Sequence, residues 1–175
     1  GYVYFVIGSF YRGVGLFCLD QAIALTDEAR VSEAVRDIDI TIAYDEEGAQ
    51  QVFLNGANVS TRIRTQQVGD AASTVSQYPA VREKMVKLQQ SLAEHTSVVM
   101  DGRDIASKVL PHADTKIYLT ASVEERARRR ANELREKGEL CDIAEVEAEI
   151  RARDDRDMHR QHSPLIQVPE AVLVD

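Results

Sequence analysis

Val98-Val99-Met100-Asp101-Gly102-Arg103-Asp104 is the stretch that decides how this sequence reads. A short apolar, β-branched run proceeds without a break and stops at a polar turn. Such a run reads as a strand buried on both faces, the pattern of a parallel sheet. Other stretches repeat the form: Tyr2 to Ile7 stops at Gly8, Ile117-Tyr118-Leu119 at Thr120, and Ala171-Val172-Leu173-Val174 at Asp175.

Helical signals alternate with these runs. Gly8-Ser9-Phe10-Tyr11-Arg12 reads as a strand turning into a helix. Pro79 suits the first turn of a helix reaching about Glu94. Ser122-Val123-Glu124-Glu125 is a capping box for a helix through about Lys137, with Gly138 suited to its end. Asp142 to Glu145 opens another, running to about Arg160. One stretch breaks the alternation. Asp39 to Tyr44 has a period of two, Asp45 to Gly48 turns, Gln51 to Leu54 follows, and Asn55-Gly56 turns again. The expected fold class is therefore α/β, a parallel sheet flanked by helices with a small antiparallel β insert. The chain opens inside one strand and closes on another, which reads as truncation at both ends.

A length of 175 residues fits one globular domain, and 44% hydrophobic with 29% charged residues excludes global disorder. No apolar run is long enough for a membrane helix, and GYVYFVIG lacks the basic region and cleavage site of a signal peptide. Cys18 and Cys141 stand far apart, in no ligand pattern, and read as reduced thiols of a cytoplasmic protein. Asn58-Val59-Ser60 matches a glycosylation acceptor, but carries no weight without a secretory signal. A net charge of −8 argues against nucleic-acid or membrane partners. The arginines are clustered all the same, at Arg126, Arg128, Arg129, Arg130 and Arg135 and again at Arg151, Arg153, Arg156 and Arg160. They make either an anion pocket or solvated helix faces laced with ion pairs.

Asp101-Gly102-Arg103-Asp104 lies at the carboxyl end of a strand, where open α/β sheets collect ligands. It presents two carboxylates and a guanidinium to that crevice, or else is a polar loop with a local ion pair. Arg153, Asp157 and Arg160 share one helix face. That face suits phosphate oxygens and ribose hydroxyls, or is a surface ladder worth about 0.3–0.5 kcal/mol per pair. Arg12, one turn into its helix, is placed to reach an anion at that helix N-terminus. His159 and His162 have no third ligand nearby, so no protein-built metal cage is expected. None of the 9 glycines opens a Gly-Lys-Ser or Gly-Lys-Thr step, so the loop that cradles ATP phosphates is not found. Gly13-Val14-Gly15 is followed by Leu16-Phe17-Cys18 and makes no dinucleotide fingerprint.

Taken in order, these segments resemble the bacterial cytidylate kinases among the nucleoside monophosphate kinases. The resemblance covers nearly the whole chain. It rests on Val98 to Ile105 with Leu110-Pro111, on Gly8 to Arg12, and on Ile63-Arg64-Thr65 through Ala71-Ala72-Ser73. Val81-Arg82-Glu83 and Arg153 to Asp157 through Ser163-Pro164-Leu165 complete it.

The resemblance implies a P-loop-kinase-like fold. The core would take 1–37, 61–128 and 145–175, the monophosphate-binding insert 38–60 and the lid 129–144. It implies that Ser73, Arg82 and Asp104 read the cytosine edge, and that Tyr11, Arg153 and Asp157 hold the ribose. Arg12, Arg103 and Arg160 would hold the monophosphate, with Arg126 and Arg130 reaching ATP phosphates. Arg103, Arg153, Arg160 and Asp101 form the implied catalytic set. The implied reaction is phosphoryl transfer from ATP to CMP or dCMP with Mg²⁺, by a monomer, through positioning and charge neutralisation.

Departures qualify the match. Val6-Ile7-Gly8 stands where the family has Asp-Thr-Gly or Asp-Ser-Gly, and Ala106-Ser107-Lys108 follows Asp104 where Gly-Thr is usual. The family's phosphate-binding loop and last helix are not found, so the chain is expected to be a fragment, inactive alone. A degenerate module that holds a pyrimidine nucleotide without transferring phosphate is the alternative. A protein whose arginines contact an acidic partner is a third reading, and it predicts no stabilisation by nucleotides.

Overall fold

The computed structural model describes residues 1–175. Its strands are β1 (Val3–Val6), β2 (Ile40–Tyr44), β3 (Gln50–Leu54), β4 (Ala57–Asn58), β5 (Val98–Asp101), β6 (Ile117–Leu119) and β7 (Val172–Val174). Its helices are α1 (Gly8–Asp20), α2 (Glu28–Arg36), α3 (Gln66–Val75), α4 (Pro79–Ala93), α5 (Val123–Glu136) and α6 (Ile143–His159). The α/β class holds. β1 pairs in parallel with β5, and β6 with β7, while β2, β3 and β4 form the antiparallel insert. The two parallel ladders are separate sheets rather than one.

Burial on both faces does not hold for these strands. Phe5 is buried, whereas its neighbours Tyr4 and Val6 on the opposite face are exposed, as are Val99, Ile117, Leu119 and Val172. The strand period of two puts alternate side chains of β1 on opposite faces, and helices cover one of them, whereas Val172, Leu173 and Val174 of β7 are all exposed. That covered side is the core: Phe10, Val14 and Cys18 of α1, Val68 and Val75 of α3, and Val81 and Met85 of α4.

The caps behave as the sequence indicates. Ser122 Oγ accepts from the Glu125 N–H at 3.1 Å, and Asp142 Oδ1 from the Ala144 N–H at 2.8 Å. Gly138, at φ +78°, ends α5 in the left-handed region. Helices α2 and α3 and a single π-type turn at Ile105–Val109 carry no signal read from the sequence. That turn follows Asp104 directly, and its wide Leu110 N–H to Ile105 carbonyl bond closes at 2.7 Å.

Candidate functional site

The turn after β5 builds the centre of the site. A Cβ on Gly102 would come within 2.9 Å of Ile105 Cδ1 and 3.4 Å of Ile7 Cβ, so a larger residue there would push the Ile105 side chain aside. Ile7 itself is 1% exposed, which gives the departure at Val6-Ile7 a packing role. Beyond Gly102, Asp104 turns inward and is 2% exposed, while Asp101 stays outside and accepts from the Tyr4 hydroxyl at 3.4 Å. Asp104 therefore does not pair with Arg103 in a local loop. Its partner is Arg82 of α4, whose Nη2 donates to Oδ2 at 2.5 Å.

Arg82 is 4% exposed and held on several sides. Its Nη1 donates to the Ser76 carbonyl at 2.9 Å, and its guanidinium lies 4.9 Å over the Tyr11 ring. Tyr11, on the first turns of α1, has its phenol pushed up to about 12, chiefly by burial, with Arg82 acting against that and Asp104 adding to it.

A second set of charges comes from α6 and its neighbours. Asp157 is 7% exposed and accepts from Arg160 Nη1 at 3.3 Å, with Arg103 Nε at 3.5 Å and Arg153 Nε at 4.0 Å. Arg160 Nε donates to the Ser163 carbonyl at 2.7 Å. One turn earlier, Asp154 is clamped by both Nη atoms of Arg126, at 3.1 and 2.5 Å. The solvated-ladder reading of this face is corrected by that burial, because α6 packs its Asp157 side against the turn after β5.

Arg12 takes a different course from the one its position suggests. Its Nη1 donates to the carbonyls of Ile63 and Thr65, at 2.7 and 3.2 Å, so it reaches the start of α3 rather than the N-terminus of α1. Gln50 of the insert bridges the end of β1 and the first turn of α1, accepting from the Val6 N–H at 3.0 Å and donating to Ser9 Oγ at 3.1 Å. Ser73 accepts from Arg156 Nη2 at 3.4 Å, and Arg130 Nη2 donates to Gln66 Oε1 at 3.1 Å. Both contacts tie the helices around residues 129–144 to α3.

Positive charge dominates the assembled cleft. The pKa of Arg12 is lowered by burial and then by Arg130, that of Arg153 by burial and then by Arg103, and that of Arg160 by burial and then by Arg82. Arg153 keeps half its side chain in solvent, yet its charged head is crowded. An arginine does not give up its proton under such pressure, so the cost is relieved by an anion instead. Beside these charges a cleft of about 630 Å³ opens between the end of β6, α5 and α6, lined by Arg103, Thr120, Arg126, Arg129 and Asp154 among others.

The structure thus brings together Tyr11, Arg82, Asp104, Arg103, Asp157 and Arg160, with Arg153 and Arg126 at the rim. It leaves Asp101 outside those contacts. Sequence reasoning passed over Asp154, one helical turn before Asp157, and Gln89, a polar residue on the apolar stripe of α4.

The family model for cytidylate kinase matches residues 1–175. The chain belongs to the cytidylate kinase family. The cytidylate kinase of Symbiobacterium thermophilum is 42% identical over 175 residues, covering 100% of this chain and 77% of its own. That of Caldanaerobacter subterraneus subsp. tengcongensis is 46% identical over 176 residues, covering 100% and 76%. That of Desulfitobacterium hafniense is 43% identical over 175 residues, covering 100% and 75%. Membership makes the chain a transferase, an ATP-dependent nucleoside monophosphate kinase. Likeness to cytidylate kinases along the whole chain favours an enzyme over a degenerate binding module. No helix is long and apolar enough to cross a membrane.

Proposed function

We propose that this kinase moves the terminal phosphoryl group of ATP to CMP and dCMP, and that its specificity lies in Asp104. The buried Arg82–Asp104 pair carries the reading. Arg82 engages Oδ2 of Asp104, which leaves the other oxygen to accept from the exocyclic amine of cytosine. Uracil presents a carbonyl oxygen at that position, so it meets an acceptor with an acceptor. A site built to bond a group rejects the analogue that lacks it. Arg82 and Ser73 take the rest of the base edge.

Tyr11, Arg153 and Asp157 hold the ribose, and Arg12, Arg103 and Arg160 the monophosphate. The mutual crowding of the arginines supports this, since a phosphate in their midst relieves it. Arg126 and Arg130, four residues apart on α5, face the ATP phosphates as residues 129–144 close over the cleft. Catalysis is then alignment and neutralisation of charge on the transferring group.

No three His, Cys, Asp or Glu side chains group closely enough to cage a metal. Mg²⁺ would arrive on ATP, held by substrate phosphates and one or two carboxylates. Asp101, exposed at the end of β5, is the carboxylate that would meet it, and the ion would neutralise phosphate charge. The reading extends to a cytoplasmic enzyme that works as a monomer.

Calorimetric titration with CMP, UMP and AMP tests the reading. CMP is expected to bind at least about tenfold more tightly than UMP, a gap of ~1.4 kcal/mol. Asp104→Asn should narrow that gap by weakening CMP more than UMP. Equal affinity of the parent chain for CMP and UMP would sink the proposal.

A further inference from the structure

Charged side chains from three elements stand in a row of alternating sign beside the cleft. Arg126 of α5 meets Asp154 of α6, Asp154 faces Arg103 on the turn after β5, Arg103 faces Asp157, and Asp157 accepts from Arg160. The links are unequal. Both Nη atoms of Arg126 donate to Asp154, one to each oxygen, at 3.1 and 2.5 Å. Arg103 is held more loosely, its Nη1 3.9 Å from Asp154 Oδ1 and its Nε 3.5 Å from Asp157 Oδ2. Arg103 therefore has two carboxylates to answer to, and Arg126 has one.

The hold on Arg126 fixes more than its position. Its Nε donates to the Ala121 carbonyl at 3.1 Å, so all three guanidinium nitrogens have an acceptor and the plane of the group is set. Three of its five N–H groups are occupied, and two remain for a ligand. Asp154 Oδ1 is shared by Arg126 and Arg103, which lets two like charges stand side by side that would otherwise repel. Arg103, Arg126 and Asp154 all line the cleft. A plain strut between α5 and α6 is already present in solvent, where Arg151 meets Glu124 at 2.7 Å. Asp154 makes a different contact: its side chain is only 14% exposed, and a carboxylate so placed has little water to lean on.

We propose that Asp154 is a positioning residue for phosphoryl transfer: it holds the Arg126 guanidinium in one plane beside Arg103, so that the two cations flank the phosphate passing from ATP to CMP. The role rests on the reading of Arg126 as a contact of the ATP phosphates. Asp154 itself touches no substrate. Its effect appears in ATP affinity, while Arg103 keeps Asp157 and CMP is held as before.

Calorimetric titration with ATP and Mg²⁺, and separately with CMP, tests the role in Asp154→Asn, Arg126→Ala and the double variant, with thermal unfolding followed alongside. Asparagine keeps the shape of the side chain and removes its charge, and Asp154→Ser serves as a second variant should asparagine not fold. Coulomb attraction alone would tighten ATP once a negative charge beside its site is gone. The expected result has the opposite sign: ATP affinity down by about tenfold in Asp154→Asn, and CMP affinity within about threefold of the parent's. The double variant should bind ATP no more weakly than Arg126→Ala, because Asp154 acts through Arg126. ATP affinity unchanged or tightened in a folded Asp154 variant would overturn the role. So would equal losses of ATP and CMP, the mark of a brace for the fold, or losses that multiply in the double. Full ATP affinity in Arg126→Ala, or a parent chain that does not bind ATP, would instead bring down the reading of Arg126, and this inference with it.

Discussion

Two arginine-rich regions of this molecule use the same ion pairs in opposite surroundings. On α5, Glu125 is shared by Arg128 at 2.7 Å and Arg129 at 2.6 Å, with both arginines exposed. Between α4 and the turn after β5, Arg82 meets Asp104 at 2.5 Å with both side chains nearly sealed from water. Pair distance does not tell them apart. Burial does, because solvent screens the first pair and offers each partner an alternative, whereas neither Arg82 nor Asp104 has another place to send its charge. The first region is a solvated helix face, and the second carries two buried charges at the place proposed to read the base.

The sharpest way to break that contrast is Asp104→Ala. It leaves a guanidinium buried without its anion, and loss of one partner of a buried pair costs about 3–5 kcal/mol. Chemical denaturation should show a loss of that size. Replacing both partners by apolar residues, as in Arg82→Met with Asp104→Leu, should recover much of the stability while CMP binding stays lost. A small effect of Asp104→Ala on folding would show that the pair is not sealed, and the distinction between the regions would go.

Asp157 comes next. It lies at the contact of α6 with the turn after β5 and is 7% exposed, so it belongs with the buried class despite its place on a charged helix. Removing it from Arg160, Arg103 and Arg153 should cost about 1.5–3 kcal/mol, the range for hydrogen bonds to charged groups. CMP affinity should fall by about tenfold or more in Asp157→Ala, and comparably in Arg160→Ala. Unchanged affinity in Asp157→Ala, Arg153→Ala and Arg160→Ala together would mean that this face only braces the fold.

What the sequence discloses of this arrangement follows from range. The strands, α1, α4, α5, α6 and the insert announce themselves through local pattern: apolar runs, a capping box, a proline at the first turn. Helix α3 carries such a pattern too, with Thr65 as its N-cap and Val68, Ala71, Ala72 and Val75 buried at helical spacing, a signal that sequence reasoning passed over. The spacing of Arg153, Asp157 and Arg160 puts them on one face, but only the position of α6 against Asp104's turn decides that the face is buried. Arg12 meets the same limit. Its acceptors, the carbonyls of Ile63 and Thr65, are some fifty positions away. Gln89 was passed over because a single polar residue within a helical stripe is ordinary until its surroundings are known.

Alkaline pH sharpens the comparison from another side. Burial and Asp104 raise the Tyr11 phenol from 10.0 to about 12 in the folded chain. Between those values the unfolded chain gives up the proton while the folded chain keeps it, so stability falls as pH rises. The loss is absent below about pH 10 and reaches ~2 kcal/mol near pH 12. Tyr11→Phe should lack it, so its stability should fall less steeply than the parent's over that window. Identical slopes in denaturation from pH 9 to pH 12 would show that the phenol is hydrated and that the Arg82–Asp104 end of the cleft is open.

The smallest effect belongs to the exposed region and is the control on all the others. Arg128→Ala deletes a guanidinium that makes three hydrogen bonds to Glu125, and Arg129 remains to hold the same carboxylate. Hydrogen bonds from both arginines hold the Glu125 carboxyl below its usual range, yet it stays in water. A carboxylate in water loses little when one cation leaves, because solvent and the second arginine replace it. The thermal midpoint of Arg128→Ala should therefore match the parent's within the scatter of the measurement, at low salt and at high. CMP and UMP affinities should be equally unmoved. A clear drop in CMP affinity would mean that Arg128 bears on the nucleotide after all. The division would then be misplaced, with the functional arginines extending along α5 onto the face that looks most like ordinary surface.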